Sequence, residues 1–150
     1  MFNYVLSRLG IEFTYVDARD MDAVAAAMRP NTKLVHVETP TNPMMKLCDI
    51  RALADLAHAH DALLCVDNTF ASPFNQRPLE LGADFSMHSS TKYVNGHSDV
   101  IGGLVAVRQE SLADDLFFIR KSPGAVPGPC LLYTSPSPRD ATLSRMPSSA

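Results

Sequence analysis

The sequence predicts an α/β domain built on a mostly parallel sheet, and three observations carry that prediction. Apolar runs of strand length at residues 33–37, 62–66, 84–88 and 103–107 alternate with stretches of helical pattern. The run at 62–66 is apolar without alternation, as expected of a strand buried in a parallel sheet. Polar clusters follow the first three runs directly: Glu38 to Asn42, Asp67-Asn68-Thr69, and Ser89-Ser90-Thr91-Lys92. In open α/β sheets ligands bind beyond the carboxyl ends of the strands, so these clusters are the candidate site.

Taken in order, residues 2–9 form an apolar stretch suited to the end of a helix, stopped by Gly10. Residues 12–16 have strand character. Residues 22–28 are an alanine-rich helix closed by Pro30. After the strand at 33–37, Thr39-Pro40-Thr41-Asn42-Pro43 must be a loop, because prolines so close fit neither regular structure. Asp49 is a candidate N-cap for an amphipathic helix, since Ile50, Leu53, Ala54 and Ala57 recur at helical spacing. Ser111 is placed to cap a last helix through about residue 119.

Bulk composition narrows the functional class. With 150 residues, 46% hydrophobic and 19% charged, the chain has the make-up of one ordinary globular domain. A net charge of -3 gives no electrostatic reason to expect nucleic acid or an anionic membrane as partner. No apolar run approaches the roughly 20 residues that span a bilayer. The first residues lack the basic-then-apolar order of a secretory signal. Cys48, Cys65 and Cys130 are odd in number and widely spaced, which argues against a disulfide framework or a zinc site and makes a reducing cytoplasm the default. His58 and His60 lie two apart on a predicted helix and so point to different faces, a poor metal pair. His88 and His97 flank the Lys92 segment, where a structural role is expected.

Asp67 and Lys92 carry the chemistry. A carboxylate directly after an apolar strand sits at the edge of a low-dielectric core, where it needs a compensating partner. From position alone it serves equally well as a cap or turn residue. The usual fate of a lysine is a solvated surface position. In this setting the alternative is a desolvated amine with a lowered pKa, available for a Schiff base. Ser89 and Thr91 could present hydroxyls to a phosphate, or serve as strand-end turn residues. A lysine, an acid and phosphate donors together form the set a pyridoxal-phosphate (PLP) enzyme requires.

Four segments carry a resemblance: Glu38-Thr-Pro-Thr-Asn-Pro43, Val66-Asp-Asn-Thr-Phe-Ala-Ser-Pro73, Arg77-Pro-Leu-Glu-Leu-Gly-Ala-Asp84 and His88-Ser-Ser-Thr-Lys-Tyr-Val-Asn-Gly-His-Ser-Asp99. In this order they resemble the signature region of the Cys/Met-metabolism PLP enzymes, which include cystathionine γ-synthase, cystathionine γ-lyase, methionine γ-lyase and O-acetylhomoserine sulfhydrylase. The similarity runs over residues 2–129. It implies part of the large domain of an aminotransferase-like, fold type I PLP enzyme, a lyase or transferase of trans-sulfuration. Its substrates would be small amino acids, and its assembly a homotetramer of dimers that share active sites. By the same resemblance Lys92 is the Schiff-base lysine and proton shuttle. Asp67 pairs with the pyridine nitrogen, Ser89 and Thr91 bind the cofactor phosphate, Asn42 contacts the ring's 3-oxygen, and Thr69 approaches the ring. A cysteine desulfurase or aminotransferase of the same broad fold, and a non-catalytic PLP-binding fragment, are the competing readings.

Family members are more than twice this length, so Met1 is expected to be an internal methionine and the chain alone inactive. The family pattern stops after Pro129. The codons that can encode residues 130–140 and 144–150 resemble a transposase-type sequencing adapter, so residues 130–150 are expected to be read-through of synthetic DNA rather than part of the domain.

Overall fold

A computed structural model describes residues 4–128; the expected read-through segment, Cys130 included, lies outside the described residues. The chain runs α1 (Met21–Ala27), β1 (Leu34–Glu38), α2 (Ile50–Ala59), β2 (Leu63–Asp67), α3 (Ser72–Asn75), β3 (Phe85–Ser89), β4 (Gly103–Val107) and α4 (Glu110–Lys121). Short 3-10 turns occupy Leu6–Leu9 and Pro78–Leu81. The four strands form one sheet in the order β1-β2-β3-β4. The β1–β2 and β2–β3 pairs are parallel, and β4 is antiparallel to β3.

Local chemistry explains the helices. The Asp20 carboxylate accepts the Ala23 N–H at 3.0 Å and starts α1. Asp49 does the same for Ala52 at 3.1 Å and starts α2. Helix α2 then buries Ile50, Leu53, Ala54 and Ala57 against Val37, Leu64, Val66 and Ala83. Leu53 is 1% exposed and Leu64 and Val66 are fully buried. Truncating any of the three to alanine removes about 2–4 kcal/mol of stability. Gly82 closes the turn into β3 at φ 106°, and a Cβ there would stand 3.0 Å from that of Ala54. The position therefore needs glycine both for its left-handed backbone and for the close approach of α2.

Burial of the strands is one-sided. In β2, Leu64 and Val66 face α2, whereas Leu63, Cys65 and Asp67 are only half-buried on the opposite face. The register places Val66 beside Ser86 and Asp67 beside Met87, so the two faces continue into β3. The uniformly apolar run at 62–66 suggested burial on both sides; among the described residues only the α2 side is fully covered.

Several expectations shift. Residues 12–16 form no strand: Tyr15 and Val16 are exposed, and no neighbouring strand among the described residues pairs with them. Strand-like composition without a neighbouring strand to form a ladder yields extended chain only. The three parallel strands each run one residue further than the apolar pattern, to Glu38, Asp67 and Ser89, because Glu38 and Asp67 pair with each other and Ser89 pairs with Gly103. Helix α4 begins at Glu110 rather than after Ser111, and its N-cap Gln109 makes no side-chain capping bond.

Candidate active site

The polar clusters gather at the carboxyl ends of β1, β2 and β3. Asp67 closes β2, and the chain turns back on it at once. Both the N–H and the hydroxyl of Thr69 donate to Asp67 Oδ1, at 3.0 and 2.6 Å. This is an aspartate turn of the kind that competes with regular structure, and it ends the strand. The Thr69 hydroxyl oxygen in turn accepts the Ser89 N–H at 2.7 Å. One hydroxyl thus joins the acid at the end of β2 to the first residue of the lysine segment at the end of β3. Asp67 Oδ2 has no hydrogen bond among the described residues.

Beyond Ser89 the chain coils tightly. Lys92 N–H donates to the Ser89 carbonyl at 3.2 Å, Asn95 N–H to that of Ser90 at 2.9 Å, and Gly96 N–H to that of Lys92 at 2.8 Å. Thr91 is tied to the start of the returning strand: its hydroxyl donates to Gly102 O at 3.3 Å and accepts Gly102 N–H at 3.0 Å. A Cβ on Gly102 would stand 2.6 Å from Ser90 Oγ, so the two segments pass closely and a larger residue there would have to turn the Ser90 side chain aside. Phe70 and Tyr93 meet edge to face, with ring centroids 6.2 Å apart, and link the β2 turn to the lysine turn.

Asn42 is exposed in the loop after β1. That loop is closed by Thr41, whose N–H donates to Lys46 O and whose hydroxyl accepts Lys46 N–H, both at 3.0 Å. Thr39 reinforces the closure by accepting Cys48 N–H at 3.2 Å.

The structure therefore brings Asp67, Thr69 and Ser89 into one hydrogen-bonded series and puts Thr91 and Lys92 on the turn that Ser89 opens. Asn42 stands on the neighbouring strand end, without a direct bond to the others among the described residues. One feature departs from expectation: Lys92 is exposed, so the described residues do not supply the desolvation anticipated around its amine. Of the two hydroxyls expected to face a phosphate, Thr91 Oγ1 has a long donor contact to Gly102 O at 3.3 Å, and Ser89 Oγ has no hydrogen-bond partner among the described residues.

Neighbouring titrations follow from burial. The Cys65 thiol, on the same face as Asp67, is pushed up to about 11 by desolvation and then by the Asp67 charge. Burial lowers the His88 imidazole, against the opposing pull of Asp67. His88 Nε2 lies 3.1 Å from Ser86 Oγ. His88 Nδ1 and Asn95 Nδ2 are buried without partners, and both belong to the lysine segment.

This donor set fits a PLP group: a carboxylate with one oxygen clamped and the other open ends β2, and a serine hydroxyl without a partner among the described residues and an exposed lysine follow on the end of adjacent β3. Sequence reasoning placed Asn68 in the cluster after β2 without giving it a role, and it singled out neither Gln76, which joins the strand ends with Asn68 by amide hydrogen bonds, nor Phe70. The one visible signal was a polar Asn68 beside an apolar strand.

A family profile described as Cys/Met metabolism PLP-dependent enzyme matches residues 1–135. The chain is 49% identical over 129 residues to a probable cystathionine gamma-synthase of Herpetosiphon aurantiacus, covering 86% of this chain and 40% of that protein. It is 52% identical over 125 residues to the cystathionine gamma-lyase of Bacillus subtilis, covering 83% of this chain and 33% of that one. The crystal structure of cystathionine gamma-lyase from Lactobacillus plantarum complexed with L-serine superposes with a TM-score of 0.87 at 46% identity, over 89% of this chain and 35% of that chain. The chain thus spans between a third and two-fifths of the length of these relatives.

Proposed function

The chain belongs to the Cys/Met-metabolism PLP-dependent enzymes, and from that premise we propose that it carries the cofactor-anchoring part of a γ-lyase or γ-synthase of sulfur amino-acid metabolism. The reaction class is γ-elimination or γ-replacement on cystathionine, methionine or an activated homoserine ester. The observation that carries this reading is the bonded series Asp67–Thr69–Ser89, with Lys92 three residues beyond.

When bound, PLP supplies the electron sink that a substrate carbanion needs. The chain's own residues do the rest. Asp67 Oδ2, left open by the Thr69 clamp on Oδ1, would be the acid that pairs with the pyridine nitrogen and holds its positive charge. Ser89 Oγ and Thr91 Oγ1 would bind the phosphate, and Thr91 also ties the surrounding backbone to Gly102. Lys92 is the residue whose Nζ would hold the cofactor, and the same amine would serve as the base that moves the substrate's α-proton. Asn42, in the loop after β1, would contact the 3-oxygen side of the ring. Because Lys92 is exposed here, its working environment is completed by groups beyond the described residues, in a parent assembled as dimers that share sites. The 150-residue chain by itself is expected to turn over no substrate.

The test is reductive trapping. The chain is incubated with PLP, reduced with borohydride and mapped by mass spectrometry. A phosphopyridoxyl adduct on Lys92, absent in Lys92→Ala, is the expected result. PLP retained equally by Lys92→Ala, or an adduct spread over the other lysines, overturns the assignment. Measurable γ-elimination of cystathionine by the chain alone overturns the expectation of inactivity.

A further inference from the structure

We infer that Gln76 is a positioning residue, whose carboxamide clamps the loop carrying Asn42 to the strand end carrying Asp67. Its relevance to the cofactor rests on the function proposed above; the clamp itself rests on geometry.

Gln76 follows α3 and is half-buried. Its Nε2 donates to the Thr39 carbonyl at 2.8 Å and to Asn68 Oδ1 at 2.8 Å. Asn68, fully buried, donates its own Nδ2 to the Gln76 carbonyl at 2.8 Å. The orientation of both amides is dictated chemically. The Thr39 and Gln76 carbonyls can only accept, so an amide nitrogen must face each, and Asn68 Oδ1 is left to take the second Gln76 proton.

Thr39 and Asn68 are the residues immediately after β1 and β2. Thr39 N–H donates to Asp67 O at 3.4 Å, a long bond at the point where the two strands part. The Gln76 carboxamide spans that point. On one side Thr39 opens the loop that its own hydroxyl closes at Cys48. On the other, Asn68 lies between Asp67 and Thr69, the clamped pair. Left-handed backbone occurs in both tied segments, at Met45 (φ 54°) and Ser72 (φ 64°). Such conformations persist where surrounding contacts over-determine them, and they gather at functional sites. The side-chain bond from Gln76 to Thr39 crosses 37 residues of sequence, so the tie is a long-range one.

Three variants of the 150-residue chain test the clamp. Gln76→Glu keeps size and removes both donated protons, Gln76→Met keeps packing alone, and Asn68→Asp removes the return bond. Backbone hydrogen–deuterium exchange is read over residues 39–48, over 67–72, and over α2 as an internal control. Exchange in the first two segments is expected to rise about tenfold in Gln76→Glu and Gln76→Met, the factor matching loss of one hydrogen bond of ordinary net strength. Exchange in α2 should stay unchanged. Unchanged exchange over 39–48 in Gln76→Glu overturns the clamp, as does an equal rise in α2, which would signal general destabilisation. In the same samples the apparent dissociation constant for PLP, read by trapping at Lys92, is expected to rise several-fold while the adduct at saturation is unchanged. Faster exchange with unaltered PLP affinity overturns the positioning role and leaves Gln76 a merely structural tie. If the unmutated chain takes up no PLP at Lys92, the cofactor reading fails instead, and the exchange arm alone decides the clamp.

Discussion

Thr69→Val isolates the hydroxyl on which the site geometry turns. Valine keeps the branched shape of threonine and deletes one oxygen. That oxygen donates to Asp67 Oδ1 at 2.6 Å and accepts the Ser89 N–H at 2.7 Å. Loss of a hydrogen bond to a charged group removes about 1.5–3 kcal/mol, and an orphaned backbone N–H adds about 1–3 kcal/mol if no water replaces the acceptor. Asp67, Thr69 and Ser89 are all half-buried, so water recovers part of both. The expected net loss is therefore about 1–3 kcal/mol. With a urea dependence of about 2 kcal/mol per molar, the unfolding midpoint drops by roughly 1 M at constant slope. Thr69→Ser restores the oxygen and should recover most of the loss. PLP trapping at Lys92 should weaken in the valine variant only, because its Asp67 carboxylate is held by the Thr69 N–H alone. If valine and serine variants unfold within about 0.5 kcal/mol of each other and trap PLP equally, the hydroxyl does not organise the site and the reasoning fails.

Three further outcomes follow from the same structure. The Asp84 carboxylate is 3% exposed and accepts the buried Leu64 N–H at 2.8 Å while lying 2.9 Å from His58 Nε2, so Asp84→Ala should lose about 2–3 kcal/mol in urea unfolding. His58→Ala should lose less than about 1 kcal/mol, because that imidazole is 38% exposed and screened by solvent; equal losses would refute the ranking. Raising the Cys65 thiol from 9.0 to about 11 cuts its thiolate fraction at pH 8 roughly 100-fold, so iodoacetamide should label it far more slowly in the folded chain than in urea, and Asp67→Asn should speed the folded reaction by removing a repelling charge. Burial holds the His88 pKa below its usual 6.5, so the unfolded chain takes up that proton first as pH falls. The stability it contributes is present above 6.5 and is lost as pH falls through the lower folded value, so His88→Gln should flatten the midpoint-against-pH curve on the acid side, and an unchanged curve would count against it.

How much of this was legible in the sequence follows from how local each interaction is. Helix α2 could be read with its cap, because Asp49 bonds three residues ahead and its apolar stripe repeats at a helical period. The parallel strands were legible as apolar runs, but their last residues were not, since Asp67 and Ser89 are held in the sheet by partners that composition does not disclose. Residues 12–16 show the reverse error: strand composition describes the residues and not the missing neighbour. At the site, Asp67, Ser89 and Lys92 were legible through their order along the chain and their placement after strands. What each hydroxyl does was not. Thr69 and Thr91 have the same side chain, yet one bridges a carboxylate to a distant amide and the other closes on a glycine eleven residues away. A hydroxyl near a strand end is therefore only a candidate phosphate donor until the destination of its proton is known. By that criterion both hydroxyls named from sequence stay candidates: Ser89 Oγ has no partner among the described residues, and Thr91 Oγ1 also ties the lysine turn to Gly102 through the bond it accepts at 3.0 Å.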